Sequence, residues 1–338
     1  MAGSWWKGRS VLVTGGAGFI GSNLVSRLVT EGAKVRVVDN LERGKPEYLG
    51  QLLQVIDFRE ADLLHAPAAV RACQDVEVIF HLASKVGGIR VYIEQPAEVF
   101  RQNTLIDHNV WNAALTHAVP YYFYASSAHI YPIELQSTPA SPRIREEQAC
   151  PALPELSYGW AKLMGEKLIQ FTVEQGCCTR ASIARIIGAY GPNQDLELST
   201  GSAIPVFCRR AIEYPSNAPF VVMGTGRETR SYHYVTDTVE AMMRAVEKSQ
   251  EIPLVGPFNL GSEEQISIGE LLQEVVTLSG KAIKIDWDTS CQTAIWGQAL
   301  DCTLAKQLLD GWKPEVPLRE GLRMSYHHIE ERLLVAQR

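Results

Sequence analysis

Apolar residues gather in short, strand-length runs through the first half of the chain. These are "SVLVTG" (10–15), "KVRVVDN" (34–40), "LLQVIDF" (52–58), "VEVIFHLAS" (76–84), "PYYFYASS" (120–127) and "RASIARIIGAYGP" (180–192). Between them the apolar positions recur every three or four residues, as in "GSNLVSRLVTEG" (21–32), which closes on Gly32. Strands that are apolar throughout, alternating with amphipathic helices, predict an α/β fold: a doubly wound parallel sheet buried on both faces. After "YGPNQ" (190–194) the character changes. Residues 193–230 read as loop-rich, and a further helical stretch, "SIGELLQEVVTLSG", opens at Ser267. The expected division is a nucleotide-binding domain over 1–188, with a return segment at about 231–262. A smaller C-terminal substrate region would then take 189–230 and 263–338, packed over the carboxyl ends of the strands, where open α/β sheets bind ligands.

Composition narrows the partners. A chain of 338 residues with 46% hydrophobic content buries a sizeable core, and its net charge of −6 carries no basic block. Neither nucleic acid nor an anionic membrane is therefore an expected partner. Seven scattered cysteines show no paired framework, no run reaches the ~18 apolar residues of a membrane span, and "MAGSWWKGRS" has no apolar leader core. These features predict a cytoplasmic protein with reduced thiols. "HHIEER" (327–332) reads as a solvated helix face, and no metal site is expected.

The chemistry begins at "VLVTGGAGFIGSNLV", where Gly15, Gly18 and Gly21, with Phe19 and Ile20 between them, follow a strand and open a helix. Such a turn lets backbone amides and a helix N-terminus approach a pyrophosphate. Asp39, 18 residues after Gly21 and followed by Asn40, ends the second strand. A carboxylate there accepts ribose hydroxyls and repels a 2′-phosphate, which favours NAD over NADP, although Arg43 stands close by. Asp62 and Leu63 are candidates for the adenine side, or else form a plain strand-end turn.

"SYGWAKLMGEKLIQF" (157–171) carries Tyr158 and Lys162 at i, i+4, so both point at one spot on a helix. With Ser127 they form a proton-transfer set for oxidising an alcohol. A phenol with a pKa near ~10 must fall by several units to act as a base, which requires roughly 4 kcal/mol of differential stabilisation. Lys162 and a positively charged nicotinamide ring are the expected sources. His129, two residues after Ser127, is either a second proton carrier or a positioning residue.

Taken together, "TGGAGFIGSNL", "VVDNLERG", "HLAS", "RQNT", "YGWAK", "YGP", "GTGRETRSYHYVTD", "FNLGS" and "LLDGWKPEVPLREGL" resemble the extended short-chain dehydrogenase/reductase family in its nucleotide-sugar epimerase/dehydratase branch. The resemblance implies a Rossmann domain, bound NAD, catalysis through a transient C4 ketone, and a homodimer joined by helices near 98–117 and 157–175. It brings Leu82, Ala83, Lys85 and Asn103 to the cofactor, and Lys85, Gly87, Gly88, Ser127, His129, Ser202, Arg230 and Gln298 to a nucleotide-diphosphate sugar. "SKVGGI", "SSAHIYP", "AIPVFCRRA" and "MGTGRETRSY" are similar to the GDP-mannose 3,5-epimerase and GDP-fucose synthase groups, which favours a GDP-hexose.

The chain departs from those groups where cysteine is replaced by His129 and where their second acid/base falls on Ser202. It also has Gly188 for the asparagine before "YGP", and Gln298 for an arginine. The expected function is an NAD-dependent nucleotide-sugar epimerase most like a GDP-mannose 3,5-epimerase. The alternatives are simple C4 epimerisation, a reductase or dehydratase, and a non-catalytic NAD-binding regulator.

Overall fold

The computed structural model describes residues 4–87, 89–290 and 295–336. Its centre is a seven-stranded parallel sheet. Chain order supplies β1 (Ser10–Thr14), β2 (Lys34–Asp39), β3 (Asp57–Glu60), β4 (Val78–His81), β5 (Tyr121–Ser127) and β6 (Arg180–Ile186), and Leu254–Leu260 returns to the edge beside β6. In space the order runs from that return strand through β6, β5, β4, β1 and β2 to β3. The chain thus winds outward from β1 in one direction and then restarts at β4 on its other side. Between β1 and β4 the two connections diverge, and a crevice opens at the carboxyl ends of the strands.

Helices α1 (Phe19–Thr30), α2 (Ala66–Cys73), α3 (Ile89–Glu94), α4 (Pro96–Thr116), α5 (Ser157–Glu174), α6 (Ala203–Glu213), α7 (Val235–Lys248) and α8 (Ile268–Ser279) follow. One face of the sheet buries Val11, Val13, Phe80 and Phe123 against Leu24, Leu28, Met242 and Val246 of α1 and α7. The other buries Leu12, Ile79, Tyr122 and Ile183 against α2, α4 and α5. A third core joins α6, α8 and the helix Leu318–Ala336 through Phe207, Leu271, Leu272 and Leu322.

Two stretches differ from the sequence expectation. "LLQVIDF" is only partly extended: Gly50–Gln54 is a 3-10 turn, and the strand is Asp57–Glu60. The reason lies in the apolar spacing, since Leu49, Leu52 and Ile56 lie three and four residues apart and pack together under the sheet. The 193–230 region is also more regular than a loop. It holds α6, which buries Ile204, Phe207, Cys208 and Ala211, and the strand Phe220–Met223. As expected, α8 opens beside Ser267, its N-cap, whose hydroxyl and Glu270 form a reciprocal capping box. No described helix is long and apolar enough to cross a membrane.

Candidate active site

The cleft at the crevice, about 520 Å³, falls within the ~300–1,000 Å³ usual for ligand sites. Gly15 is left-handed (φ 69°), and a Cβ there would come within 2.9 Å of the Ala83 nitrogen. A Cβ on Gly21 would lie 2.2 Å from the Gly15 carbonyl oxygen. The turn is therefore tight enough to bring α1 against the end of β1 and Gly15 against the segment after β4, and α1 starts at Phe19 with no side-chain cap and no acid in its first turn. Its opening amides are left facing the cleft, as an anion requires.

Asp39 is buried at the end of β2. Its carboxylate accepts the amides of Ala17 (3.0 Å) and Leu41 (2.9 Å), while burial raises its pKa above the ordinary carboxylate value. Each oxygen keeps a lone pair for a further donor. Asn40, Asp62, Leu63, Leu82, Ala83 and Lys85 line the same cleft with Phe19 and Ile20. These features fit a dinucleotide: a glycine cradle, free helix amides and an acceptor carboxylate at the ribose end.

The other end gathers Ser127, His129, Tyr158, Lys162 and Ser202. The Tyr158 hydroxyl has Ser84 and Ser127 as its polar side-chain neighbours, and Tyr92 stacks on its ring at 5.3 Å. The Lys162 ammonium lies 6.0 Å from the Tyr158 ring centre. His129 is held by its neighbours: its amide donates to Ser127 Oγ at 3.2 Å. Gly159 of α5 sits so close that a Cβ would meet the His129 carbonyl oxygen at 2.0 Å. The imidazole consequently stands edge-on to Tyr158, ring centres 5.9 Å apart. Its enclosed position, and then the nearby Arg230 cation, hold its pKa below that of free imidazole.

A model of the NAD dependent epimerase/dehydratase family matches residues 11–261, most of the chain. This chain belongs to that family. It is accordingly an NAD-dependent enzyme. It is 30% identical to the GDP-mannose 3,5-epimerase of Arabidopsis thaliana over 324 residues, covering 96% of this chain and 82% of that one. UDP-glucuronic acid decarboxylase 2 of the same plant is 29% identical over 334 residues, 98% of this chain and 71% of that one. Among solved structures, the UDP-glucose 4-epimerase of Thermotoga maritima with UDP-glucose superposes with a TM-score of 0.83 at 26% identity, covering 96% and 99% of the two chains. The Thermus thermophilus UDP-glucose 4-epimerase in complex with NAD gives 0.80 at 27% identity, covering 95% and 98%.

Not every candidate of this epimerase/dehydratase family member meets the cleft. Asn103 is buried behind it, where Oδ1 accepts Ser84 Oγ (2.6 Å) and the Lys85 amide (2.8 Å), and Nδ2 donates to the Lys85 carbonyl (3.0 Å). It shapes the segment after β4 and stands outside the lining. Lys85 is ion-paired with Glu42. Gly87 donates its amide to Tyr92 (3.2 Å), and Gly88 lies outside the described residues. Arg230 donates to the carbonyls of Thr229 (2.8 Å) and Ile295 (3.0 Å). Gln298 is buried against Gln136, Nε2 to Oε1 2.8 Å.

Sequence reasoning also missed a strap over the cofactor end. Arg43 pairs with Asp195 at 2.7 Å, Asn193 donates to Ser22 Oγ at 3.1 Å, and Asn23 donates to the Pro192 carbonyl at 3.1 Å. Partners 152 residues apart leave no local signal. Arg43 is thereby committed to Asp195 and to the Val86 carbonyl, and Asp39 keeps control of the ribose end. The protein should bind NAD far more tightly than NADP, because a 2′-phosphate beside Asp39 meets like charge. Equal affinities in a fluorescence titration would contradict this.

The expected lowering of the Tyr158 phenol draws on Lys162 and a nicotinamide cation together; in the protein alone, burial pushes the phenol up to about 12. Ser84 works against that rise, the charge of Asp107 adds to it, and Ser127 offsets a little. Asp107, which the sequence reading passed over, faces Lys162 from α4.

Proposed function

We propose that this enzyme epimerises a nucleotide-diphosphate sugar through a transient C4 ketone, most like a GDP-mannose 3,5-epimerase acting on a GDP-hexose. The observation that carries the proposal is the half-buried His129 imidazole edge-on to Tyr158, in one cleft with Ser127 and Lys162. NAD, when bound, accepts the hydride from C4 and later returns it. Tyr158 takes the C4 hydroxyl proton as the hydride leaves and gives it back when the ketone is reduced. Ser127 stands beside that phenol in the cleft and orients the reacting oxygen. The ketone acidifies the hydrogens on C3 and C5, a neutral imidazole is the right base to remove one, and solvent water returns a proton to the opposite face.

The whole-length likeness to GDP-mannose 3,5-epimerase supports this substrate class, and the UDP-glucose bound to a structural neighbour supports a sugar nucleotide more broadly. We assign cofactor binding to 1–188 with the return segment of about 231–262, and sugar-nucleotide binding to 189–230 and 263–338. Arg230 is the candidate for the diphosphate. A homodimer through α4 and α5 is supported by Phe100, Trp160, Met164 and Phe171, all exposed on those two helices. A cytoplasmic setting is supported by the six described cysteines, which are free thiols.

Incubation with GDP-mannose in D₂O tests the reading. Deuterium should enter the ring at C3 or C5, and His129→Gln should abolish that exchange while substrate still reduces bound NAD. Because the imidazole pKa is depressed, the base form persists on acidification, and exchange should fall only below the ~6.5 of free histidine. Inversion at C4 without deuterium uptake would favour the second reading, a C4 epimerase. Ser202 supports that alternative, since its hydroxyl accepts from Gln194 Nε2 (3.1 Å) and cannot return a carbon-bound proton unaided.

A further inference from the structure

Behind the phenol lies a cluster of buried polar groups, of which the proposed reaction uses only Lys162. Asp107 of α4, His81 of β4, Tyr124 of β5 and Lys162 of α5 are all buried. Asp107 Oδ1 lies 3.7 Å from Lys162 Nζ and accepts His81 Nε2 at 3.0 Å, while Oδ2 accepts the Tyr124 hydroxyl at 2.5 Å. The His81 tautomer follows from its other neighbour. Thr14 Oγ1 accepts the amides of Leu82 and Ala83 (3.2 Å each), so its own proton goes to His81 Nδ1 at 2.8 Å. Nε2 then carries the ring proton and His81 is neutral, in keeping with a pKa that burial lowers. Burial opposes the charge on Asp107, but Lys162, His81 and Tyr124 outweigh it and hold the carboxyl below its ordinary value. The cluster therefore contains one anion and one cation.

We propose that Asp107 is a positioning residue that cancels the charge of Lys162 and thereby sets the pH at which Tyr158 ionises. The inference rests on Tyr158 being the proton carrier of the proposed reaction. The other groups facing this centre do not supply the balance. Glu166, also on α5, is held bidentately by Arg185 (3.0 and 2.8 Å) and by Ser126 (2.5 Å), so its charge is already matched. Tyr122 of β5 and Cys73 of α2 lie on the far side of Asp107 and are buried neutral groups with raised pKa values. Tyr92, likewise raised, Ser84 and Ser127 pack directly on the phenol, and half-buried His129 is biased to its neutral form.

A carboxylate this close makes proton loss harder for the Tyr158–Lys162 pair as a whole, whichever member gives up the proton. The resting phenol is kept protonated at neutral pH, ready to deliver its proton to the C4 ketone. Oxidation of the sugar is correspondingly displaced toward alkaline pH. The neutral cluster thus biases the cycle toward returning the hydride, and the reactive ketone stays short-lived.

The test needs no sugar, so an error in the assigned substrate leaves it intact. Tyr158 ionisation is read as tyrosinate absorbance in the NAD holoenzyme, as the difference between each protein and the same protein carrying Tyr158→Phe. Asp107→Asn should lower the midpoint by at least ~1 pH unit, the usual reach of an adjacent charge, and Asp107→Glu should bring it back toward the original value. An unchanged or raised midpoint in Asp107→Asn overturns the proposal, even if thermal stability falls. Should Asp107→Asn not fold, the unmutated pair decides: a Tyr158 midpoint below the ~10 of a free phenol overturns the assignment, and one at or above it upholds the charge balance.

Discussion

Replacing Tyr158 by phenylalanine should slow epimerisation by roughly 10²–10⁴-fold, the usual worth of a positioned general acid/base. The ring itself fits its surroundings: Tyr92 stacks on one face, and the position is buried at the start of α5. What the substitution removes is the hydroxyl beside Ser84 and Ser127, and with it the proposed exit for the C4 hydroxyl proton. Bound NAD should stay in place, because the glycine turn and Asp39 are untouched. Reduction of that NAD by added GDP-mannose should become nearly undetectable in stopped-flow absorbance. Near-normal turnover in this variant would remove Tyr158 from the proton path and the oxidation step with it.

The largest effect on stability is expected at Glu166. Its carboxylate receives both arms of the Arg185 guanidinium, and both side chains are almost wholly enclosed (0% and 5% exposed). Arg185 continues to Tyr131 (3.0 Å) and to the Glu146 carbonyl (2.8 Å), and Tyr131 continues to Asn259 (2.5 Å). The network therefore ties β5, β6, α5 and the return strand Leu254–Leu260 beneath the active site. Glu166→Gln leaves the guanidinium buried without a counter-charge, a change that costs about 3–5 kcal/mol. Against a total stability of about 5–15 kcal/mol, that is a large share. Urea unfolding should show the midpoint falling sharply with little change in slope. A loss under ~1 kcal/mol would mean that water reaches Arg185.

What the sequence could disclose follows from how local each feature is. The glycine turn, Asp39 and the Tyr158–Lys162 spacing are encoded within a few residues of one strand end or one helix, and the structure brings them to one cleft. The helix cap at Ser267 is equally local. Asp107 is different. Its position one turn after Asn103, on the face of α4 that also buries Ile106 and Val110, hints at burial but not at which cation meets it. His81 offered a comparable clue, a histidine ending a strand that is otherwise apolar, yet its partner comes from another element. Likewise, no stretch of sequence around Arg43 mentions Asp195. Pairings between distant segments are set by the packing of the sheet and its helices, and a reading by local spacing cannot reach them.

Gly188 sets how closely two segments of the chain can approach. The residue stands between β6 and the two-residue strand Ala189–Tyr190 with φ at 63°, and a Cβ there would lie 2.0 Å from the Ser231 carbonyl oxygen. Its own carbonyl meanwhile accepts the His233 amide at 3.1 Å, so the neighbouring segment is pulled in close. Asparagine tolerates the left-handed backbone, but no side chain of any kind fits the space that Ser231 now fills. Any other residue at 188 therefore requires the backbone at 231–232 to retreat first, and the spacing between these two segments is locked by the absence of a single carbon atom.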